Sequence, residues 1–318
     1  MSAFLEVCDL SVEIGGLTAL RDVSISVDRG ECIGLVGETG SGKSLTCRAI
    51  IGMLSRIGAR ATAGRVMLDG VDLVTLDPRG WSTIRGYRIG FVPQASMAAL
   101  DPVMRVGNQL RETISILDPA ANREQRAIEL LESVRLPDVG RVLRSYPHEL
   151  SGGMRQRVMI ALALAGGAPL LVADEPTTAL DVTVQREILD LLDSLRRDLG
   201  MALVLVTHDL AVIGDRADRV AVMYAGSVVE QGPVAEVLGA PVHPYTKALL
   251  AARPFGAEPG SRLASIAGLP PALGAHPAGC AFAPRCAHAQ TACEEAAPAV
   301  VQVSAQHSTR CIRWRELS

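Results

Sequence analysis

The chain has 318 residues, enough for one large domain with an appendage or for two modest ones, and 48% of them are hydrophobic, ample for a core. Lys and Arg number 31 against 34 Asp and Glu, a formal charge of −3, which excludes the basic balance of a nucleic-acid or anionic-lipid binder. The opening MSAFLEVCDLSVEI carries Glu6 and Asp9 without a basic segment and apolar run, so it does not read as a secretory signal.

In chain order, residues 3–36 alternate short β-like runs (FLEVCDLSVEI, ALRDVSISV, CIGLVG) with Gly-rich or charged turns. A helical pattern follows from Ser41 to about Leu54, then the β-rich RVMLDGVDL and RIGFVPQ. The middle, about 95–166, reads as mostly helical, with AIELLESVRL (127–136) at helical spacing and Pro137 ending it. The most apolar stretch, Val158 to Ala173, is broken by Gly166, Gly167 and Pro169 and falls short of the ~20 apolar residues of a spanning helix. It reads as a buried helix, a turn and a buried strand, and any membrane association then runs through a partner.

LLVADE (170–175) is an apolar strand, and VTVQREILDLLDSLRRDLG (182–200) places Ile188, Leu191, Leu192, Leu195 and Leu199 on one stripe with Gly200 as C-cap. ALVLVTHD (202–209) is another buried strand, and RVAVMYAGSVVEQG (219–232) reads as a hairpin around Ala225-Gly226. Buried strands alternating with helices predict an α/β fold with a largely parallel sheet. After about Pro241 the periodicity fades and Pro, Gly and Ala become dense, predicting a boundary between Leu238 and Pro254 that separates a main domain, 1–240, from an extension, 241–318. There is no internal repeat. Cys8, Cys32 and Cys47 read as small core residues in a reducing compartment.

GETGSGKS (37–44) matches G-x-x-x-x-G-K-[ST] after an apolar strand and before a helix, the context this phosphate-binding motif requires. Gly37, Gly40 and Gly42 let the backbone of Glu38, Thr39 and Ser41 curl so that N–H groups converge on phosphate oxygens, while Ser44 and Leu45 begin the helix. The helix start adds about half a positive charge. Lys43 reaches the β- and γ-phosphates of a nucleoside triphosphate and the Ser44 hydroxyl binds Mg²⁺. By itself this motif says only P-loop NTPase, which covers kinases, GTPases and motors alike. At the tip of LLVADE, Asp174 holds Mg²⁺ and Glu175 polarises the attacking water: two roles, two acids.

LSGGMRQR (150–157) is the most specific stretch, and here the chain resembles the nucleotide-binding subunit of ATP-binding-cassette (ABC) systems. Ser151 Oγ, the N–H groups of Gly152 and Gly153 and a helix N-terminus form a second anion site. The resemblance implies a P-loop NTPase cassette: a RecA-like core sheet, an antiparallel β subdomain and a helical subdomain at about 95–166. It also implies a head-to-tail cassette pair that sandwiches ATP between the phosphate loop of one chain and the LSGGM segment of the other. Gln94 in FVPQ matches the Q-loop near the metal and γ-phosphate, Asp181 in TALD the D-loop of the cassette interface, and His208 in VTHD the switch histidine. Such cassettes stack adenine on an aromatic residue; the matching position here is Ile14, so the base is buried without stacking, a difference of ~1 kcal/mol or more.

Within the family, ASMAALDPVMRVGNQL after Gln94, HPYTKALLAARP (243–254), IAGLPP and AGCAFAPRC resemble the ATPase subunits of oligopeptide/dipeptide and nickel importers. The implied partners are a second, different ATPase chain, two integral membrane permeases and, indirectly, an extracytoplasmic substrate-binding protein, with this chain peripheral at the cytoplasmic face. A soluble ABC ATPase of translation or DNA maintenance stays open, although the chain carries one cassette, no sustained heptad run and no basic face. Cys280, Cys286, Cys293 and Cys311 are spaced C-x5-C-x6-C-x17-C, too wide for the tight turns of usual zinc pairs. Loosely spaced thiolates suit a [4Fe–4S] cluster, with which the family extension is also associated. Zinc and unliganded thiols remain the alternatives. His276, His288 and His307 read as solvated or structural.

Overall fold

The computed structural model describes residues 3–94, 99–178, 180–252 and 265–317. Pro254, and much of the ASMAALDPV segment, therefore lie outside or at the edge of the described residues. The chain forms two compact units, one containing Val27–Cys32 and Thr75–Val206, the other Leu5–Ser26, Ile33–Val74 and Thr207–Ser318.

In the first unit three parallel strands, Ile89–Val92, Leu170–Asp174 and Ala202–Val206, pair Ile89 with Leu170 and Asp174 with Val206. The last two are buried along their whole length, as a strand covered on both faces must be. Helices Val106–Leu117, Arg123–Ser133, Val139–Arg144 and Gly152–Ala163 fill the stretch read as helical. Asn122, Asp138 and Ser151 cap three of them by accepting N–H bonds from the first turn. In Val182–Leu199 the residues Ile188, Leu191, Leu192 and Leu195 are buried, and Gly200 at φ 61° ends the helix. Leu199, expected on the stripe, is 61% exposed because the last turn runs past the core.

In the second unit an antiparallel sheet has the order Leu17–Val27, Leu5–Ile14, Ala59–Leu68, Val71–Asp72. A second sheet pairs Cys32–Val36 in parallel with Arg219–Tyr224, which runs antiparallel to Ser227–Pro233. Ala225 (φ 46°) and Gly226 (φ 79°) form the hairpin turn, both in the left-handed region that a two-residue turn of this twist needs. Two short strands from the extension, Ser308–Thr309 and Val301–Gln302, continue this sheet beyond Ser227–Pro233.

The described part of the extension is more ordered than its composition suggests. Helix Pro244–Ala251 begins at His243, whose Nδ1 accepts the Tyr245 N–H at 3.0 Å. Beneath it the buried Glu230 carboxylate accepts the N–H groups of Val242 (2.8 Å) and His243 (3.1 Å) and meets His307 Nε2 at 2.8 Å. His307 is thus structural. No helix among the described residues is long and apolar enough to cross a membrane.

Candidate active site and the four-cysteine cavity

Strand Cys32–Val36 delivers the chain to Gly37, whose φ of 149° is closed to other residues; a Cβ there would sit 2.1 Å from the Met223 carbonyl oxygen. Gly40 (φ 81°) and Gly42 (φ 106°) continue the curl, and helix Lys43–Ile50 starts at its end. The Lys43 ammonium is buried and bends back over the loop, donating to the carbonyl oxygens of Gly37 (2.7 Å) and Glu38 (3.0 Å). Ser41 accepts the Gly226 N–H at 3.0 Å through its carbonyl, fastening the loop to the hairpin turn.

Thr207 N–H bonds the Leu35 carbonyl at 3.2 Å, so His208, which is exposed, leaves its strand beside the residues that feed the phosphate loop. Ile14 ends strand Leu5–Ile14 half-exposed, opposite Ala59. These residues share the second unit with the loop.

In the first unit, Asp174 closes its strand almost fully buried, and Glu175 follows with φ 47°. A left-handed backbone is uncommon for a non-glycine residue and turns this carboxylate out of the strand direction. Glu175 Oε2 accepts from the Gln94 side-chain amide at 2.8 Å and from the Thr178 hydroxyl at 2.9 Å. Its own N–H bonds the Val206 carbonyl at 3.0 Å. Gln94 and Glu175 therefore meet, 81 residues apart in sequence. Thr178 was missed by sequence reasoning, although a hydroxyl three residues after the acid is the available signal.

Ser151 is exposed and caps helix Gly152–Ala163 by accepting the Met154 N–H at 3.3 Å. Gly153 lets this helix approach Val184, whose Cγ1 would lie 2.6 Å from an added Cβ. Asp181 accepts the Val184 N–H at 3.0 Å, so the interface acid expected at this position also caps a helix.

In the extension, Cys280, Cys286, Cys293 and Cys311 line one small cavity with Phe282, Ile312 and Pro298. Backbone N–H groups of Phe282 and Ala283 reach the Cys280 sulfur, that of His288 reaches Cys286 and that of Arg313 reaches Cys311. Burial first, and then the charge each thiolate would impose on others, raises Cys280 and Cys286 and pushes Cys311 up to about 11. A cation among these sulfurs would reverse that sign. The thiols nevertheless do not converge: among the described residues no three His, Cys, Asp or Glu side chains form a metal-coordinating group. Cys32 and Cys47 are buried as expected, whereas Cys8 is half-buried.

The chain is similar to known proteins. The ABC transporter family matches residues 20–178, and the oligopeptide/dipeptide transporter C-terminal region matches residues 229–293. A Brucella melitensis protein bearing the name peptide import ATP-binding protein is 46% identical over 315 residues, covering 95% of this chain and 93% of its own. A second one from the same organism is 44% identical over 313 residues, covering 96% and 94%. Among solved structures, the ATP-binding cassette MJ0796, in a dimeric post-hydrolysis state bound to ADP and Pi, is 30% identical with a TM-score of 0.64, covering 72% of this chain and 98% of its own. The cbiO1 protein of Clostridium perfringens, part of the ABC transporter complex cbiONQ, is 27% identical with a TM-score of 0.67, covering 76% and 92%. On this likeness, carried through both cassette and extension, the chain belongs to the ABC transporter family of ATPases.

Proposed function

We propose that the phosphate loop, Asp174, Glu175, Gln94 and His208 act on one MgATP, and that Ser151, Gly152 and Gly153 clasp the nucleotide held by a partner cassette. Gly37 through Leu45 wrap the phosphates, Lys43 neutralises their charge, Ile14 covers the base and His208 touches the γ-phosphate. Ser44, Gln94 and Asp174 offer the hydroxyl, amide and carboxylate oxygens that suit Mg²⁺, which when bound neutralises charge on the β- and γ-phosphates. Glu175 accepts a proton from the attacking water, while Gln94 and Thr178 orient its carboxylate.

The observation that carries this reading is that carboxylate, held at 2.8 and 2.9 Å on a left-handed residue at a strand tip. Glu175→Gln retains nucleotide binding and lowers ATP hydrolysis by ~100-fold or more. Near-normal turnover with binding intact refutes the role.

The cassette, 1–240 with its helical part at 95–166, pairs through Asp181 with a different ATPase chain, and both dock on two integral membrane permeases at the cytoplasmic face. The external binding protein acts only through those permeases. Affinity capture of the full chain in mild detergent recovers the second ATPase and two membrane subunits; recovery of the chain without them argues against this assembly.

The extension, 241–318, holds an iron–sulfur centre through Cys280, Cys286, Cys293 and Cys311. Four sulfurs around one cavity, several facing backbone N–H groups, support this reading and suit separated corners better than one ion at a point, although among the described residues they are not gathered as metal ligands. When bound, such a centre cross-links the extension. Iron and sulfide near four per chain in protein purified without air support it; zinc alone, or neither metal, overturns it.

A further inference from the structure

Sequence reading left Arg285 unassigned, yet it joins the cysteine-bearing extension to the phosphate loop. It ends the short 3-10 turn Ala283–Arg285, flanked by Cys286 and by Cys280. The turn is stiff: Ala283 N–H bonds Cys280 O at 3.0 Å, Arg285 N–H bonds Phe282 O at 2.9 Å and Cys286 N–H bonds Ala283 O at 3.1 Å. These bonds tie the turn that bears Arg285 to the backbone of both cysteines.

The Arg285 side chain is only 4% exposed. It grips Glu38 with two bonds, Nη1 to Oε2 at 2.7 Å and Nη2 to Oε1 at 3.0 Å. Its other donors go to Tyr224 Oη (3.3 Å), the Ala267 carbonyl (2.8 Å) and the Ile266 carbonyl (3.2 Å). A guanidinium has five N–H donors, and five partners are in place, so its position is fixed from all sides. Glu38 is the second residue of the phosphate loop, and its carbonyl also receives the Lys43 ammonium. The extension holds Glu38 a second time, because Tyr245 Oη accepts its N–H at 2.9 Å. Phe282 packs on Tyr224 and Tyr245, each at 5.3 Å between centroids, closing the group.

We propose that Arg285 is a positioning residue for nucleotide binding: acting through Glu38, it sets the affinity of the phosphate loop for MgATP and passes to it the state of the Cys280–Cys286 turn. The loop must present its later N–H groups and Lys43 in one arrangement, and a clamp on its second residue removes the freedom that binding would otherwise have to freeze out. Linkage makes the coupling reciprocal, so nucleotide also biases the turn.

This rests on the phosphate-loop reading, which Lys43→Ala tests separately. The experiment is equilibrium binding of a non-hydrolysable ATP analogue with Mg²⁺ to the full chain. Arg285→Gln and Glu38→Gln each weaken binding about tenfold, and the double variant is no weaker than either single one, as for two halves of one contact. Arg285→Lys recovers part of the loss. A mere tail anchor would lower the melting temperature and leave the dissociation constant unchanged. Should Arg285→Gln unfold the extension, Glu38→Gln reads the same contact from the loop side. An affinity within twofold of the parent in both singles, or losses that multiply in the double, overturns the proposal. Cys286→Ser weakens binding about threefold in the parent and not in the Glu38→Gln background; equal loss in both, or none in the parent, refutes transmission through the clamp. Unchanged binding in Lys43→Ala refutes the phosphate-loop reading itself, and the inference falls with it.

Discussion

The phosphate loop and the cysteine-bearing extension lie in one compact unit, yet they are held in opposite ways. The loop takes its form from backbone: glycines at φ 149°, 81° and 106°, and a hairpin turn bonded to the Ser41 carbonyl. The extension takes its form from buried polar side chains, with Glu230 gathering three N–H groups and Arg285 spending all its donors. A backbone-made site is compact in sequence. A side-chain-made one is scattered through it.

The largest expected effect separates the loop's glycines. At Gly37 an added Cβ meets the Met223 carbonyl oxygen at 2.1 Å, and that backbone belongs to a buried strand. At Gly40 no atom lies within 4 Å, so only the left-handed backbone resists. Gly37→Ala should destabilise the chain by about 3 kcal/mol or more and Gly40→Ala by about 1 kcal/mol. Urea unfolding of both variants checks this, and equal losses would mean that backbone conformation, rather than close packing, decides at both positions.

This contrast also explains what could be read in advance. GETGSGKS, LSGGM and the strand tip bearing Asp174 and Glu175 stand out in the sequence because their glycines, hydroxyls and acids sit at short spacing. Hairpin and helix limits were legible at Ala225-Gly226 and Gly200, where one turn chemistry dominates. The extension looked irregular because its order depends on pairs such as Glu230–His307, 77 residues apart, and Glu38–Arg285, 247 apart. Neither partner announces the other. The Thr178 hydroxyl on Glu175 was hidden for a different reason: a hydroxyl three residues after an acid is a common pairing, and it singles out no residue until its acceptor is placed.

A second prediction tests the extension's polar anchoring. His243 is fully buried, and burial lowers its pKa from 6.5 to about 4, partly opposed by Glu230. Its Nδ1 must stay unprotonated to cap helix Pro244–Ala251. Because the folded-state pKa is the lower one, the unfolded chain takes up the proton first as pH falls. The contribution is complete above about 6.5, declines as pH falls to about 4 and is flat below, reaching about 2 kcal/mol of loss by pH 5. His243→Asn keeps a capping oxygen and removes the titration. Unfolding free energies at pH 7 and pH 5 should differ by less in this variant than in the parent; the same difference in both would assign the pH dependence to other groups.

The smallest effect lies where the two modes of construction meet. Tyr245 is fully buried against Tyr224 and Phe282, and its hydroxyl accepts the Glu38 N–H at 2.9 Å. Tyr245→Phe keeps the ring packing and removes one acceptor, leaving a partly buried N–H unsatisfied at a cost of about 1 kcal/mol. The charged clamp from Arg285 remains in that variant, so the loop is still held from one side. Nucleotide affinity should therefore fall by only about fivefold or less, short of the Arg285→Gln loss. If Tyr245→Phe instead matches Arg285→Gln, the backbone of Glu38 rather than its carboxylate is the point at which the extension governs the loop, and the aromatic cluster around Phe282 becomes the coupling element.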